Sequence, residues 1–385
     1  MNNEKRIYLD SAATTYVSGD VIQAMMPYFT TEYGNPASLH SYGREAEKAL
    51  AKARAQVAAA INADPSEIYF TSGATESNNW LVRGVLSTNQ VKRALVSKIE
   101  HPSIINLCKR LAEEGYKIEY IDVDSSGVVS ASDLISKLSK PAALVSVMTA
   151  NNEVGTIQFI KTLANIANER GALFHTDATQ AIGSVAIDVK EMKIDALSLS
   201  GHKIYGPKGI GALYIRKGVD VGVFLYGGEQ ERGKRSGTVN IPGVVGLGAA
   251  IEITMRDAAA NNIRMKQLRD FMIKEIESKI DGATLNGHRV QRLPNNINFS
   301  FRGVEGESLL MTLDMAGISV STGSACSSGS LERSHVLLAM GVPDELAQSS
   351  VRITLTRSTT KEDIEYCVSQ LIKTVKRLRS MSAFR

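Results

Sequence analysis

Short apolar, β-branched runs alternate with segments of helical periodicity through the middle of the chain. Runs at 68–71, 94–97, 117–122, 143–148, 172–177, 195–200 and 211–215 read as strands. Several are apolar at almost every position, as strands covered on both faces are. Helical patterns at 103–114 and 162–170 fall between them. This alternation predicts an α/β fold with a mostly parallel, seven-stranded sheet. From about residue 243 the pattern changes. A long helical stretch runs towards residue 280, followed by a strand-like 295–301, a helix at 306–316, a Gly/Ser-rich segment at 321–330, a strand at 351–356 and a last helix from 361. These elements predict a smaller α+β domain, which Ile7 to Leu9 could join as a further strand. The expected division is 15–255 for the large domain, with 1–14 and 256–385 forming the small one.

Composition narrows the classes. A chain of 385 residues with 43% hydrophobic content can bury a large core and suits two domains better than one. The net charge of +4 is a mild excess, short of the footprint of a dedicated nucleic-acid binder, so direct nucleic-acid binding is not expected. The basic stretch 373–379 reads as a solvated helix face. No apolar run approaches the roughly 18 residues of a membrane span, and no leader-like apolar segment follows the polar first residues.

Three cysteines, at 108, 326 and 367, suit a reducing compartment better than a disulfide framework, and the cytoplasm is the expected location. Cys108 shares an apolar stripe with Ile104, Leu107 and Leu111, and Cys367 shares another with Ile364, Val368, Leu371 and Val375. Both read as core. Cys326 lies in Ser321-Thr322-Gly323-Ser324-Ala325-Cys326-Ser327-Ser328-Gly329-Ser330, where nothing apolar anchors it, and this composition favours an exposed loop. No Cys/His cluster suggests a metal site of the chain's own.

Polar residues gather where the apolar strands end, the place where open α/β sheets bind ligands. Lys203 follows the run 195–200 in Ser200-Gly201-His202-Lys203 and leads into Tyr205-Gly206-Pro207-Lys208-Gly209. It is either a surface lysine or one that forms a Schiff base with a carbonyl cofactor. Asp177, in His175-Thr176-Asp177-Ala178-Thr179-Gln180, either caps a helix or meets a cation such as a pyridinium. Gly73-Ala74-Thr75 links a strand to a helix start, which can cradle a phosphate. His101 and Asn152 stand just beyond two further strands, in Glu100-His101-Pro102-Ser103 and Asn151-Asn152-Glu153.

Taken together these segments resemble the NifS/IscS-type cysteine desulfurases, pyridoxal-phosphate enzymes of the class-V aminotransferase family. So do Asp10 to Thr15, Gly34-Asn35-Pro36-Ala37-Ser38, Arg235-Ser236-Gly237-Thr238 and Ser324-Ala325-Cys326. Motif order and spacing match from about Ile7 to about Met381. The resemblance implies the aspartate-aminotransferase-like fold in an obligate homodimer, with pyridoxal 5'-phosphate carried on Lys203. Asp177 would pair with its pyridine nitrogen, Gln180 with its phenolate oxygen, His101 would stack on its ring, and Asn152 would line the pocket. Ala74, Thr75, Ser200 and His202 would hold the phosphate, with Thr238 reaching in from the other subunit. Arg352 would grip the carboxylate of L-cysteine together with Asn35. Lys203 would move the Cα proton and His101 would handle protons at the substrate thiol. Cys326, on a loop resembling the longer cysteine loop of these enzymes, would take the sulfur as a persulfide and leave alanine. That persulfide would pass to an iron–sulfur scaffold or another acceptor protein, and could transiently ligate iron there. Another pyridoxal-phosphate reaction, such as transamination or selenocysteine lysis, is the nearest rival. A catalytically idle scaffold for sulfur carriers is the rival of another kind.

Overall fold

The computed structural model describes residues 6–322 and 333–381. Its strands are β1 (Ile7–Tyr8), β2 (Ile68–Thr71), β3 (Arg93–Ser97), β4 (Lys117–Ile121), β5 (Leu144–Ser146), β6 (Leu173–Asp177), β7 (Ala196–Ser200), β8 (Gly211–Ile215), β9 (Ala283–Leu285), β10 (Asn296–Phe301), β11 (Ile318–Ser319) and β12 (Ser350–Thr354). The seven expected strands are β2 to β8, with small shifts at their ends, and they form one sheet in the order β2-β8-β7-β6-β5-β3-β4. From β4 to β7 the pairing is parallel, whereas β8 runs antiparallel to both β7 and β2. The reversal follows from the connection 201–210, which is too short for the crossover that parallel strands need. Lys203 lies in that connection, in a single tight turn at Gly201–Lys203.

Successive residues of the central strands face opposite sides, and helices cover both. On one side Leu95, Val145, Phe174, Leu197 and Leu199 pack with Val57 of the helix Ser41–Ala60 and Leu163 of the helix Ile160–Asn168. On the other, Ala94, Val96, Leu144 and Leu213 meet Trp80 of the helix Ala74–Thr88 and Leu107 and Cys108 of the helix Pro102–Glu113. Each large apolar side chain fully buried in this way contributes about 1.5–3 kcal/mol. The edge strand β4 is the exception, with Lys117 exposed and Glu119 half-buried, which discourages pairing with another chain.

A second core gathers around the antiparallel sheet β12-β10-β9. Ile297, Phe299, Val351 and Ile353 pack there with Ile364, Cys367 and Leu371 of the helix Lys361–Met381. Ile7 and Leu9 belong to this core too, and β1 pairs in parallel with β11. The helix Ile241–Lys279 serves both cores: Val244, Leu247 and Ile251 lie in the first, Met272, Ile273 and Ile276 in the second. Cys108 and Cys367 are buried, and burial pushes both thiols up to about 12. Cys326 lies outside the described residues. Among the described residues no helix is long and apolar enough to cross a membrane, and no cluster of His, Cys, Asp or Glu could hold a metal ion.

Candidate active site

The sheet ends β3, β5, β6 and β7 open onto a cavity of about 300 Å³. Nine residues named from the sequence line it: Ala74, Thr75, His101, Asn152, Asp177, Gln180, Ser200, His202 and Lys203. Each is delivered by local structure. Gly73 caps the helix Ala74–Thr88 without any side-chain cap, so the first-turn N–H groups at Ala74 and Thr75 are left for an anion. A Cβ on Gly211 would come within 2.7 Å of the Gly73 Cα, so glycine at 211 is what lets β8 start beneath this cradle. Asn151 Oδ1 accepts from the backbone N–H groups of Glu153 and Val154, and the resulting turn presents Asn152.

Lys203 Nζ donates to the carbonyls of Ala12 and Ala13, the latter at 2.7 Å, and Gln180 Nε2 donates to the same Ala12 carbonyl at 3.0 Å. Ala12 and Ala13 thus close one side of the cavity. His202 stands over Thr14, with Nδ1 and Oγ1 3.1 Å apart. Burial, reinforced by Lys203 and Lys208, pushes the His202 pKa down to about 4, so the ring is neutral at physiological pH.

Asp177 is 4% exposed. Its Oδ1 accepts from the Thr179 N–H at 2.9 Å and its Oδ2 from Asn78 Nδ2 at 2.8 Å, both neutral donors. A carboxylate this deep is costly without a cation, and a protonated ring nitrogen entering the cavity would supply one. Behind it His175 is wedged between Ser146 Oγ (2.9 Å) and Ser198 Oγ (3.0 Å), and burial pushes its pKa well down, against the pull of Asp177.

Three of the residues named from the sequence lie elsewhere in the chain. Arg352 is buried beside Asn152, whose carbonyl accepts from Nη1 at 3.3 Å, and does not line the cavity. Asn35 is exposed and spends Oδ1 on the Ala37 N–H. Thr238 is exposed, three residues beyond Arg235, which forms a two-pronged ion pair with Glu76 on the cavity rim. Sequence reasoning gave no role to Asn78, Ser103, Asp10 or Glu76. The one signal for Asn78 was an amide among the apolar positions of the helix face that carries Trp80, Leu81 and Val85.

Comparison with known proteins agrees over nearly the full chain. Residues 7–367 match the family described as aminotransferase class-V. The chain is 48% identical to the cysteine desulfurase IscS of Clostridium botulinum, over 98% of this chain and 96% of that one. It is 37% identical to a NifS-like protein of solved structure, covering 97% of this chain and 100% of that one with a TM-score of 0.91. A NifS-like protein from Rickettsia africae superimposes with a TM-score of 0.88 at 32% identity, covering 97% of this chain and 100% of that one.

Proposed function

The chain belongs to the class-V aminotransferase family, and from that premise we propose that its cavity serves a cysteine desulfurase passing sulfur through a persulfide on Cys326. Its cofactor is pyridoxal 5'-phosphate, and the residues present fit that group. The uncapped helix start at Ala74 and Thr75 suits the phosphate, Lys203 the aldehyde, and the buried Asp177 the ring nitrogen. Among the described residues Asp177 pairs with neutral donors alone, and this observation carries the reading, because it leaves the place of a cation to the ligand.

Bound there, the cofactor supplies an electron sink for charge developing on the substrate. Lys203 Nζ takes the Cα proton of L-cysteine. Gln180 and Asn152 fix orientation at the wall, and His202 with Ser200 adds polar groups at the phosphate end. The Cys326 thiolate attacks the substrate sulfur; a S–S bond forms as the C–S bond breaks, and protonation of the remaining three-carbon unit yields alanine. Arg352, held behind Asn152 rather than on the cavity wall, would supply the fork for the substrate carboxylate, and Asn35 would join it there.

Thr238, exposed on this chain, would reach the phosphate cradle of a partner subunit in a homodimer with shared active sites. Exposed Phe29, Tyr33, Leu39 and Tyr226 offer the apolar area such an interface needs. The sulfur acceptor is an iron–sulfur scaffold or another carrier protein, and the cytoplasm suits a chain with three cysteines of which two are buried as free thiols. Incubating the protein with L-cysteine and a reductant tests the proposal: alanine and sulfide should appear in equal amounts. Pyruvate, or alanine without sulfide, would assign the cavity to another reaction.

A further inference from the structure

Two side chains, Asn78 and Ser103, connect the buried carboxylate of Asp177 to the imidazole of His101. Asn78, fully buried on the helix Ala74–Thr88, has Nδ2 2.8 Å from Asp177 Oδ2 and 2.9 Å from Ser103 Oγ. A carboxylate only accepts, so the Asn78 atom facing it is the amide nitrogen, and both N–H bonds are committed as donors. Among the described residues Asn78 Oδ1 is buried with no partner, so this orientation is imposed by the carboxylate against the amide's own needs. Ser103 Oγ, which accepts from Asn78, lies 2.9 Å from His101 Nδ1 and has its hydroxyl proton to give there. The Ser103 backbone N–H reaches the same nitrogen at 3.1 Å, because His101 is the N-cap of the helix Pro102–Glu113.

Two donors converging on Nδ1 require its lone pair there, so the proton of the neutral ring sits on Nε2. Among the described residues Nε2 has no hydrogen-bond partner, and His101 lines the cavity. We propose that Asn78 and Ser103 are positioning residues that hold His101 as the Nε2–H tautomer, making it a hydrogen-bond donor towards the cavity. The proposal deepens the desulfurase reading and rests on it for what the donor meets: an anionic sulfur or carboxylate of the substrate. A ring with Nε2 already protonated cannot take a proton there, which leaves Lys203 as the base.

The surroundings agree. Burial lowers the His101 pKa most; Asp177 opposes that, while Lys203 and His335 add to it. His335 approaches from the helix His335–Ala339, its Nε2 donating to the Glu100 carbonyl at 2.9 Å. An imidazolium at His101 would also set an N–H against the Ser103 N–H.

Side-chain nitrogen NMR of the holoenzyme, labelled with ¹⁵N-histidine, reads the tautomer directly. The His101 signals are assigned by their loss in His101→Gln. Across neutral pH the unsubstituted enzyme should show Nδ1 bare and Nε2 protonated, titrating below the ordinary histidine value. Ser103→Ala removes one donor to Nδ1, and Asn78→Ala frees the Ser103 hydroxyl to accept from a charged ring. Each should raise the midpoint by about half to one unit. Ser103→Thr should keep the original midpoint, and the acid limb of the kcat profile should move in the same order. A proton on Nδ1 in the unsubstituted enzyme overturns the proposal, and this reading needs no variant to fold. So do midpoints unchanged in both alanine variants. The expected tautomer in a protein that makes no alanine from L-cysteine would instead sink the functional reading alone.

Discussion

Arg352, buried, and Asp10, half-buried and 342 positions away, form an ion pair with Nη2 2.8 Å from Oδ1. Arg352 is 1% exposed, Nη1 reaches the Asn152 carbonyl at 3.3 Å, and among the described residues Nε is buried with no partner. The fork that would receive a substrate carboxylate is therefore already held in place by a carboxylate of the chain, with donor capacity left over.

This pairing predicts two separable effects. Arg352→Lys keeps the charge but loses the planar fork, so KM for L-cysteine should rise roughly tenfold or more, with the cofactor's visible absorbance unchanged. Asp10→Asn leaves the arginine buried without its counter-charge and should cost about 3 kcal/mol of stability, read as a lower denaturant midpoint. An unaltered KM in Arg352→Lys would remove Arg352 from the substrate site.

Lys203 is half-buried in the cavity, whereas Lys208 lies exposed five positions on. Lys203→Ala should abolish turnover and the visible absorbance of the lysine-bound cofactor. Borohydride reduction of the unsubstituted enzyme followed by peptide mapping should find the adduct on Lys203. An adduct on Lys208 would refute the assignment.

The sequence made the strand ends legible because an apolar run closing on a polar residue is a local pattern. Lys203, Asp177, His101 and the Ala74-Thr75 helix start all announce themselves in this way. What stayed hidden depends on how distant segments meet. Asn78 and Ser103 touch only because the helices Ala74–Thr88 and Pro102–Glu113 pack side by side on one face of the sheet. Asp10 reaches Arg352 only because the chain's start lies against β12, where Ala12 N–H donates to Thr354 Oγ1 at 2.9 Å. Neither relation leaves a periodicity behind.

Glu100 predicts a pH dependence. It is fully buried, with Oε1 accepting from Ser97 Oγ and, at 2.7 Å, from the Met148 N–H. Burial pushes its pKa from 4.5 up to about 8, against those two donors and aided by the charge of Asp177. The folded protein thus keeps a proton that the unfolded chain releases, and the contribution of Glu100 to stability falls as pH rises from about 4.5 to about 8. Glu100→Gln lacks that loss. Its Tm should match the parent near pH 5 and exceed it at pH 8.5, by an amount worth on the order of a few kcal/mol. A Tm difference that does not change with pH would show Glu100 to be ionised in the fold.

Shared active sites predict complementation. Subunits carrying Lys203→Ala are inactive through the lysine. On the proposed shared sites, subunits carrying Thr238→Asp would place a negative charge against a partner's phosphate cradle. Exchange between the two should regain activity, since each hybrid dimer contains one intact site. Sedimentation should show no monomer at low micromolar concentration. Mixtures no more active than their parents, or a fully active monomer, would remove Thr238 from a shared site.

The last prediction separates Cys326 from the other two cysteines. Cys108 and Cys367 are buried on apolar helix faces, and burial pushes both thiols up to about 12, so neither offers a thiolate near neutral pH. A sulfur-accepting cysteine must ionise and meet both the substrate and an outside acceptor, which no residue inside either core can do. By its sequence setting Cys326 meets neither obstacle. Cys326→Ser should retain the cofactor and still perturb its spectrum on adding L-cysteine, because Lys203, Asp177 and Arg352 remain. It should release almost no sulfide, because a hydroxyl is a poor nucleophile towards sulfur at neutral pH. Mass spectrometry after brief exposure to L-cysteine, without reductant, should place one added sulfur on the peptide containing Cys326 and none on those containing Cys108 or Cys367. Added sulfur on either buried cysteine, or full turnover by Cys326→Ser, would overturn the persulfide assignment while leaving the cofactor site as described.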